Sequence, residues 1–302
     1  MTADRTAPVP RSYLYVPGDR PEMLAKATAR GADALIVDLE DAVPASGKDR
    51  ARSLVRAWLV EAAAAGAAAP GRTPEIWIRV NPGERGCAES ALLAGPAVTG
   101  FCLAKCSGVD GIAAQDAVLT AAEERLGLAP GAVALAPLLE TASAVLDVRP
   151  IAQASRVRHL HLGEADLCAE LGIAAPEALD GPGGAALAAI RTHVLLASAA
   201  AGLLAPVGPV STDFTDLDAL ARGTRALRGL GYRSRACVHP RQLATVNAVF
   251  TPGPEEVAAA QALLDRFAEA TRDGSGVITG PDGRMVDEAV VRAARRVLST
   301  RR

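Results

Sequence analysis

Residues 34–44, Ala-Leu-Ile-Val-Asp-Leu-Glu-Asp-Ala-Val-Pro, pass without alternation from a continuous apolar run into three carboxylates, Asp38, Glu40 and Asp41. An apolar run that does not alternate is the pattern of a strand buried on both faces, as in a parallel sheet covered by helices. Carboxylates massed where such a strand ends are costly to desolvate unless they bind something, and in α/β folds that edge is where ligands sit. This stretch alone points to a helix-covered parallel sheet with a polar site at its strand ends.

The pattern recurs along the chain. Residues 12–17 read as a first strand, and Val16-Pro17-Gly18-Asp19-Arg20 turns into a helix that opens on Pro21-Glu22. After the second strand, residues 48–65 carry Leu54, Ala57, Leu59 and Val60 at helical spacing, and Ala69-Pro70-Gly71 stops the helix. Further strands are expected at 75–81, ending in Arg79 and Asn81, at 100–107, carrying Lys105, and at 133–141, ending in Glu140. The sixth, 157–166, ends in Glu164 and Asp166, the seventh is 205–210 with Ser211-Thr212-Asp213 beyond it, and the eighth is 235–242 with His239. Helices are expected over 109–126 and 185–201, whereas Gly181-Pro182-Gly183-Gly184 has neither P-loop nor dinucleotide-binding spacing and reads as a loop. Eight such strands predict an α/β fold of the (β/α)8 TIM barrel type, with a doubly wound sheet as the alternative on strand count alone. The barrel takes residues 1–250. Residues 251–302 form an appendage: a helix over 251–271 capped by Thr251, a hairpin around Gly280-Pro281-Asp282-Gly283, and a last helix at 288–298. It is expected to pack on the active face or on a neighbouring subunit.

With 32 basic against 34 acidic residues, the net charge of -2 gives no basic surface for nucleic acid. No run reaches the roughly 18 consecutive apolar residues of a membrane span. Residues 1–10 are polar, without the apolar segment of a signal peptide, so a cytoplasmic location is expected. Five scattered cysteines argue against a disulfide framework, and Cys102 and Cys106 read as small buried hydrophobes. The strand ends collect Asp38, Glu40, Asp41, Arg79, Asn81, Lys105, Glu140, Glu164, Asp166, Asp213 and His239. Oxygen ligands in this number, without a Cys/His cluster, suit Mg²⁺. Arg79 is a fork-shaped donor for a carboxylate or for an oxyanion that grows during reaction, and with a metal it makes the equipment for stabilising an enolate. Other assignments are structural. Asp213 is expected to cap the next helix, His239 to be a satisfied core histidine, and His159 and His161 to pack rather than ligate. Lys105 is either a Schiff-base nucleophile or an ion-paired lysine.

Arg11-Ser12-Tyr13-Leu14-Tyr15-Val16-Pro17-Gly18-Asp19-Arg20, Val37-Asp38-Leu39-Glu40-Asp41-Ala42-Val43, Arg79-Val80-Asn81, Leu139-Glu140-Thr141, Gly163-Glu164-Ala165-Asp166-Leu167 and Val238-His239-Pro240 resemble the motifs of the citrate lyase beta subunit-like branch of the HpcH/HpaI aldolase superfamily. They stand in that family's order. The resemblance implies a TIM barrel that binds Mg²⁺ through Glu140 and Asp166, with Arg79 holding a 2-oxo acid. Asn81, Lys105 and Glu140 join Arg79 as candidate substrate contacts, and Glu40 and Asp41 join Arg79 as catalytic candidates, as carboxylates that orient metal-bound water, Arg79 or Lys105. Met285-Val286-Asp287 resembles the segment placed over a neighbour's active site in a trimer, which makes Asp287 a candidate acid/base supplied in trans. The reaction implied is reversible Claisen-type cleavage of a short 3-hydroxyacyl-CoA, of the malyl-CoA or citramalyl-CoA type, to a 2-oxo acid and acetyl-CoA, with a thioesterase step after condensation as a further possibility. The alternatives are a citrate lyase beta subunit acting on a carrier-bound thioester, a Lys105 Schiff-base aldolase and a non-catalytic barrel used for binding. Two departures stand out: Leu103-Ala104-Lys105 where relatives have Pro-Lys, and no arginine near Ala199.

Overall fold

A computed structural model describes residues 9–68, 73–173, 181–272, 277–280 and 283–300. Eight parallel strands close into a barrel in sequence order: β1 Ser12–Pro17, β2 Ala34–Asp38, β3 Glu75–Val80, β4 Gly100–Leu103, β5 Ala134–Leu139, β6 His161–Leu162, β7 Val207–Gly208 and β8 Ser234–Cys237. Closure is made by β1, which pairs with both β2 and β8.

Strand pleating explains the unbroken apolar runs. In β2, Ala34 and Ile36 point into the barrel, where they pack with Tyr13, Trp77, Cys102, Ala136, Val207 and Ala236. Leu35 and Val37 point outward into the layer between strands and helices, which includes Val55, Ile78 and Phe101. Both faces are dry, so neither tolerates the polar half of an alternating strand. The barrel interior is filled by side chains, as the fold requires. Trp77 has room because β4 begins on Gly100, where a Cβ would lie 2.5 Å from Trp77 Cζ3 and 2.4 Å from Ala134 O. On β2 and β3 the next inward position is polar: Asp38 follows Ile36, and Arg79 follows Trp77 in register with it. The candidate site is therefore the layer of inward side chains above the packed core.

Several elements differ from the sequence reading. β6 ends at Leu162, and Glu164–Leu171 is already a helix, so Glu164 and Asp166 occupy a helical first turn rather than a strand end. Gly163, in the position preceding that helix, is where the chain turns. The expected loop at Gly181 opens the helix Gly181–Ala200 instead, because Pro182 in a first turn is tolerated and the Ala/Leu run behind it supplies the propensity. Thr251 does not cap the helix that follows: it ends the helix Gln242–Phe250, donating to Asn247 O at 2.7 Å and accepting from Arg11 Nη1 at 2.7 Å. The stop at Ala69-Pro70-Gly71 lies outside the described residues.

Within Gly181–Ala200, the window Gly183–Ala200 is the one described helical stretch long and apolar enough to cross a membrane by composition. Its Leu187, Arg191, Val194 and Ser198, at helical spacing, are buried. Beyond the barrel, helices Pro254–Arg272 and Glu288–Ser299 pack on each other beside the hairpin of β9 Ile278–Thr279 and β10 Met285–Val286. All five cysteines are free, and Cys102 and Cys106 are buried.

Candidate active site

Arg79 organises the acidic end of β2. Its Nε and Nη2 donate to the two oxygens of Asp38 at 2.8 and 2.6 Å, a fork-to-fork pair between adjacent strands. Asp38 also accepts the backbone N–H of Glu40 at 2.9 Å and of Ala42 at 3.3 Å, so it shapes the turn that presents the next two acids. Arg79 Nη1 lies 3.2 Å from Glu40 and 3.6 Å from Asp41, and the guanidinium sits 5.2 Å above the Tyr15 ring. Burial acts to lower the Arg79 pKa, but the Asp38 carboxylate outweighs it and holds the group charged.

Glu40 and Asp41 titrate in opposite directions. Burial pushes the Glu40 carboxyl up, opposed by Lys105. Burial is overcome at Asp41 by a hydrogen bond with Glu40 and by the charges of Arg79 and Lys105, which hold it below the usual carboxylate range. Lys105 Nζ donates to Glu40 and lies 3.4 Å from Asp41. These acids, first among them Glu40, raise its pKa to about 12, so it is an ammonium near neutrality. The backbone at Lys105 is left-handed, φ 48°, an uncommon geometry for a residue with a side chain. It turns the Lys105 N–H onto Glu140.

Glu140 extends the inward face of β5 and is buried, 3% exposed. Burial, with the nearby charge of Asp166, pushes its pKa to about 7 despite the Lys105 N–H. Gly163 makes the space it occupies, since a Cβ there would stand 2.6 Å from Glu140 Cβ and 3.0 Å from its Oε2. Asp166 projects from the helical first turn and makes no hydrogen bond or ion pair with the described residues. Glu140, Asp166, Arg79, Asp38, Asp41 and Tyr15 line one cavity of about 470 Å³. Among the described residues no group of three or more His, Cys, Asp or Glu side chains is arranged to hold a metal. A buried carboxylate held partly protonated beside an unpaired one is a donor set for one divalent cation completed by water and substrate oxygens, so the residues present fit Mg²⁺.

Other sequence candidates fall elsewhere. Asn81 is fully engaged by protein: Oδ1 accepts from Lys48 Nζ at 2.5 Å, and Nδ2 donates to Leu39 O at 2.9 Å and Glu89 at 2.7 Å. It ties β2 to β3 beneath the site. His159 and His161 pack, Nε2 to Nε2 at 3.0 Å, with the His159 ring 4.6 Å from Trp77. Burial keeps both neutral, His161 with a pKa of about 3. Asp213 binds its own turn through Thr215 and Asp216, while the helix cap falls to Asp216, which accepts from Ala219 N at 2.8 Å. His239 is not a core residue: it is half-buried and stacked on Phe214 at 4.7 Å. Asp287 caps Glu288–Ser299 through the N–H groups of Ala289 and Val290, and among the described residues no hydrogen bond or ion pair joins it to the strand-end cluster of its own chain.

Sequence reasoning passed over three contributors. Lys48, one of only three lysines, reaches Leu39 O, Glu40 O and Asn81 from the start of its helix. Tyr15 supplies the face under Arg79, which strand alternation with Tyr13 would have given. Arg191, midway along an apolar helix, clasps Glu164 with bonds of 2.6 and 2.7 Å. A lone arginine on the buried stripe of an Ala/Leu helix was the available signal.

Comparison with known proteins places this geometry. The family model described as HpcH/HpaI aldolase/citrate lyase matches residues 11–240. The citrate lyase subunit beta of Leuconostoc mesenteroides subsp. cremoris is 31% identical over 293 residues, 95% of this chain and 92% of its own. A (3S)-malyl-CoA thioesterase of Cereibacter sphaeroides is 33% identical over 296 residues, 96% of this chain and 93% of its own. The crystal structure of the protein CitE from Mycobacterium tuberculosis in complex with magnesium, acetoacetate and coenzyme A matches with a TM-score of 0.73 at 28% identity, over 98% of this chain and 99% of that one. The barrel, the order of its strand-end motifs and these matches agree, and the chain belongs to the HpcH/HpaI aldolase/citrate lyase family, in its citrate lyase beta subunit-like branch.

Proposed function

We propose that this protein is a Mg²⁺-dependent carbon–carbon lyase that cleaves a short 3-hydroxyacyl-CoA to a 2-oxo acid and acetyl-CoA. The observation that carries this reading is the pairing of Glu140, pushed to about 7 by burial and Asp166, with an unpaired Asp166 in one cavity that also holds Arg79. The relative of known structure binds magnesium, a 3-oxo acid and coenzyme A, which supports the same ligand classes here. Mg²⁺ held by Glu140 and Asp166 would supply Lewis-acid stabilisation of the substrate's hydroxyl and carboxylate oxygens.

The chain's own residues do the rest. Arg79, fixed by Asp38, presents positive charge to the oxo acid carboxylate and stabilises charge that grows in the transition state. Asp41 lines the cavity as a carboxylate and accepts the hydroxyl proton, with Glu40 beside it and Lys105 and Arg79 balancing the charge of both acids. The bond between the carbinol carbon and the thioester α-carbon breaks, its electron pair passes to the thioester as an enolate, and the hydroxyl oxygen becomes the oxo group. The partner subunit's Asp287 then protonates the enolate carbon in a trimer. Lys105 is unsuited to Schiff-base chemistry, which needs a lowered pKa where Glu40 raises this one to about 12.

Purified protein with Mg²⁺ should release glyoxylate from malyl-CoA or pyruvate from citramalyl-CoA, measured as the hydrazone, and stop on addition of EDTA. Activity that survives EDTA and is trapped by borohydride at Lys105 would overturn the metal mechanism. Release of CoA thiol without oxo acid would make the protein a thioesterase, and turnover only of a carrier-bound thioester would make it a citrate lyase subunit. The role of Asp287 predicts complementation: mixing inactive Asp287→Asn with inactive Glu140→Gln recovers part of the activity, because a mixed assembly pairs one intact Asp287 with one intact Glu140. No recovery after confirmed subunit exchange removes Asp287 from the reaction.

A further inference from the structure

We infer that Arg191 sets which divalent cation the cavity accepts, by withholding Glu164 from it; this rests on the Glu140 and Asp166 metal reading above. Glu140, Glu164 and Asp166 line the same cavity, yet their carboxylates are differently committed. Asp166 has no hydrogen-bond or ion-pair partner among the described residues. Glu140 accepts one backbone N–H. Glu164 has both oxygens taken by Arg191, Nε at 2.6 Å and Nη2 at 2.7 Å. Both members of this pair are buried, Glu164 6% and Arg191 8% exposed.

The clasp is anchored from behind. Arg191 lies on the buried stripe of Gly181–Ala200, and its carbonyl accepts from the hydroxyl of Tyr232, which is fully buried, at 3.0 Å. Its fork therefore holds Glu164 toward the helix layer. Two results follow. Glu164 is the first residue of the helix that presents Asp166 two positions later, so the ion pair also orients Asp166. Of the acids that line the cavity, Asp38 is held by Arg79 and Asp41 lies beside Arg79 and Lys105, so with Glu164 withheld a cation is left with Glu140 and Asp166, and releasing Glu164 would add a third carboxylate beside them. Mg²⁺ needs only one or two and fills its octahedron with water and substrate oxygens, whereas Ca²⁺ takes six to eight oxygens in flexible geometry and gains from each added carboxylate. Arg191 is thus a positioning residue whose mark is metal preference rather than contact with substrate.

The test is calorimetric titration of metal-free protein with Mg²⁺ and with Ca²⁺, accompanied by the metal-induced rise in Tm. Arg191→Met leaves Glu164 unpaired and is expected to lower the metal-free Tm and to raise Ca²⁺ affinity relative to Mg²⁺ at least about tenfold. Arg191→Met combined with Glu164→Gln returns that ratio to within about twofold of the unaltered protein, since no third carboxylate is then released. Arg191→Lys keeps the charge but not the fork, shifts the ratio about threefold in the same direction, and serves if Arg191→Met does not fold. A ratio unchanged in Arg191→Met, or in Arg191→Lys if that must replace it, overturns the inference. Mg²⁺ binding that survives both Glu140→Gln and Asp166→Asn overturns the metal reading itself, and the inference with it.

Discussion

Glu140→Gln is expected to lower Mg²⁺-dependent cleavage about a thousandfold and to abolish the Mg²⁺-induced rise in Tm. Lewis-acid stabilisation of charge in the transition state is worth several kcal/mol, and about 4 kcal/mol corresponds to that factor. Gln keeps the shape and the acceptor for the Lys105 N–H but not the charge. The same substitution has a pH signature in metal-free protein. The Glu140 pKa rises from 4.5 unfolded to about 7 folded, so between these values the folded chain binds the proton that the unfolded chain has released. Stability must then fall as pH rises through this window, by about 3 kcal/mol in all. Glu140→Gln flattens the slope, measured as Tm in EDTA from pH 4 to 8. Mg²⁺ competes with that proton, so its apparent affinity in the unaltered protein rises toward pH 7. A slope that Glu140→Gln leaves intact would show that the carboxyl is not held protonated by its surroundings.

Arg79→Ala should cost more stability than any other substitution in the site. It strands Asp38, 2% exposed, and Glu40, 3% exposed, as buried charges without their shared cation. Removing one partner of such a pair costs about 3–5 kcal/mol, or roughly 10 °C in Tm for a chain of this size. Arg79→Lys keeps the charge but replaces two parallel hydrogen bonds with one point donor. It should retain most of the stability while losing about a hundredfold in kcat/KM. Thermal unfolding and turnover of both variants separate the two roles. Arg79→Ala with Tm unchanged and activity within tenfold would remove Arg79 from both.

Strand ends were readable because a barrel strand is dry on both faces, and a charge at its end breaks that pattern visibly. Asp38, Arg79 and Glu140 were found this way, each one inward position beyond a packed residue: Ile36, Trp77 and Leu138. The same logic misassigned Asp166, because a two-residue β6 followed by a helix still reads as one apolar stretch with acids at its end. Asn81 was placed in the site for the same reason, since position along a strand does not say what a polar group already binds. Its amide is taken by Lys48, 33 residues away, and by Leu39 and Glu89.

By itself, then, the sequence determined the barrel, the face on which chemistry gathers and the family, since these follow from patterns within single strands and motifs. Only the tertiary structure decided which carboxylates are free. Asp38 is taken by Arg79 across 41 residues and Glu164 by Arg191 across 27, leaving Asp166 without a partner among the described residues and Glu140 raised to about 7. The physical reason is that a carboxylate's availability depends on the donors and the burial that distant segments bring to it, and neither is written beside it in the chain.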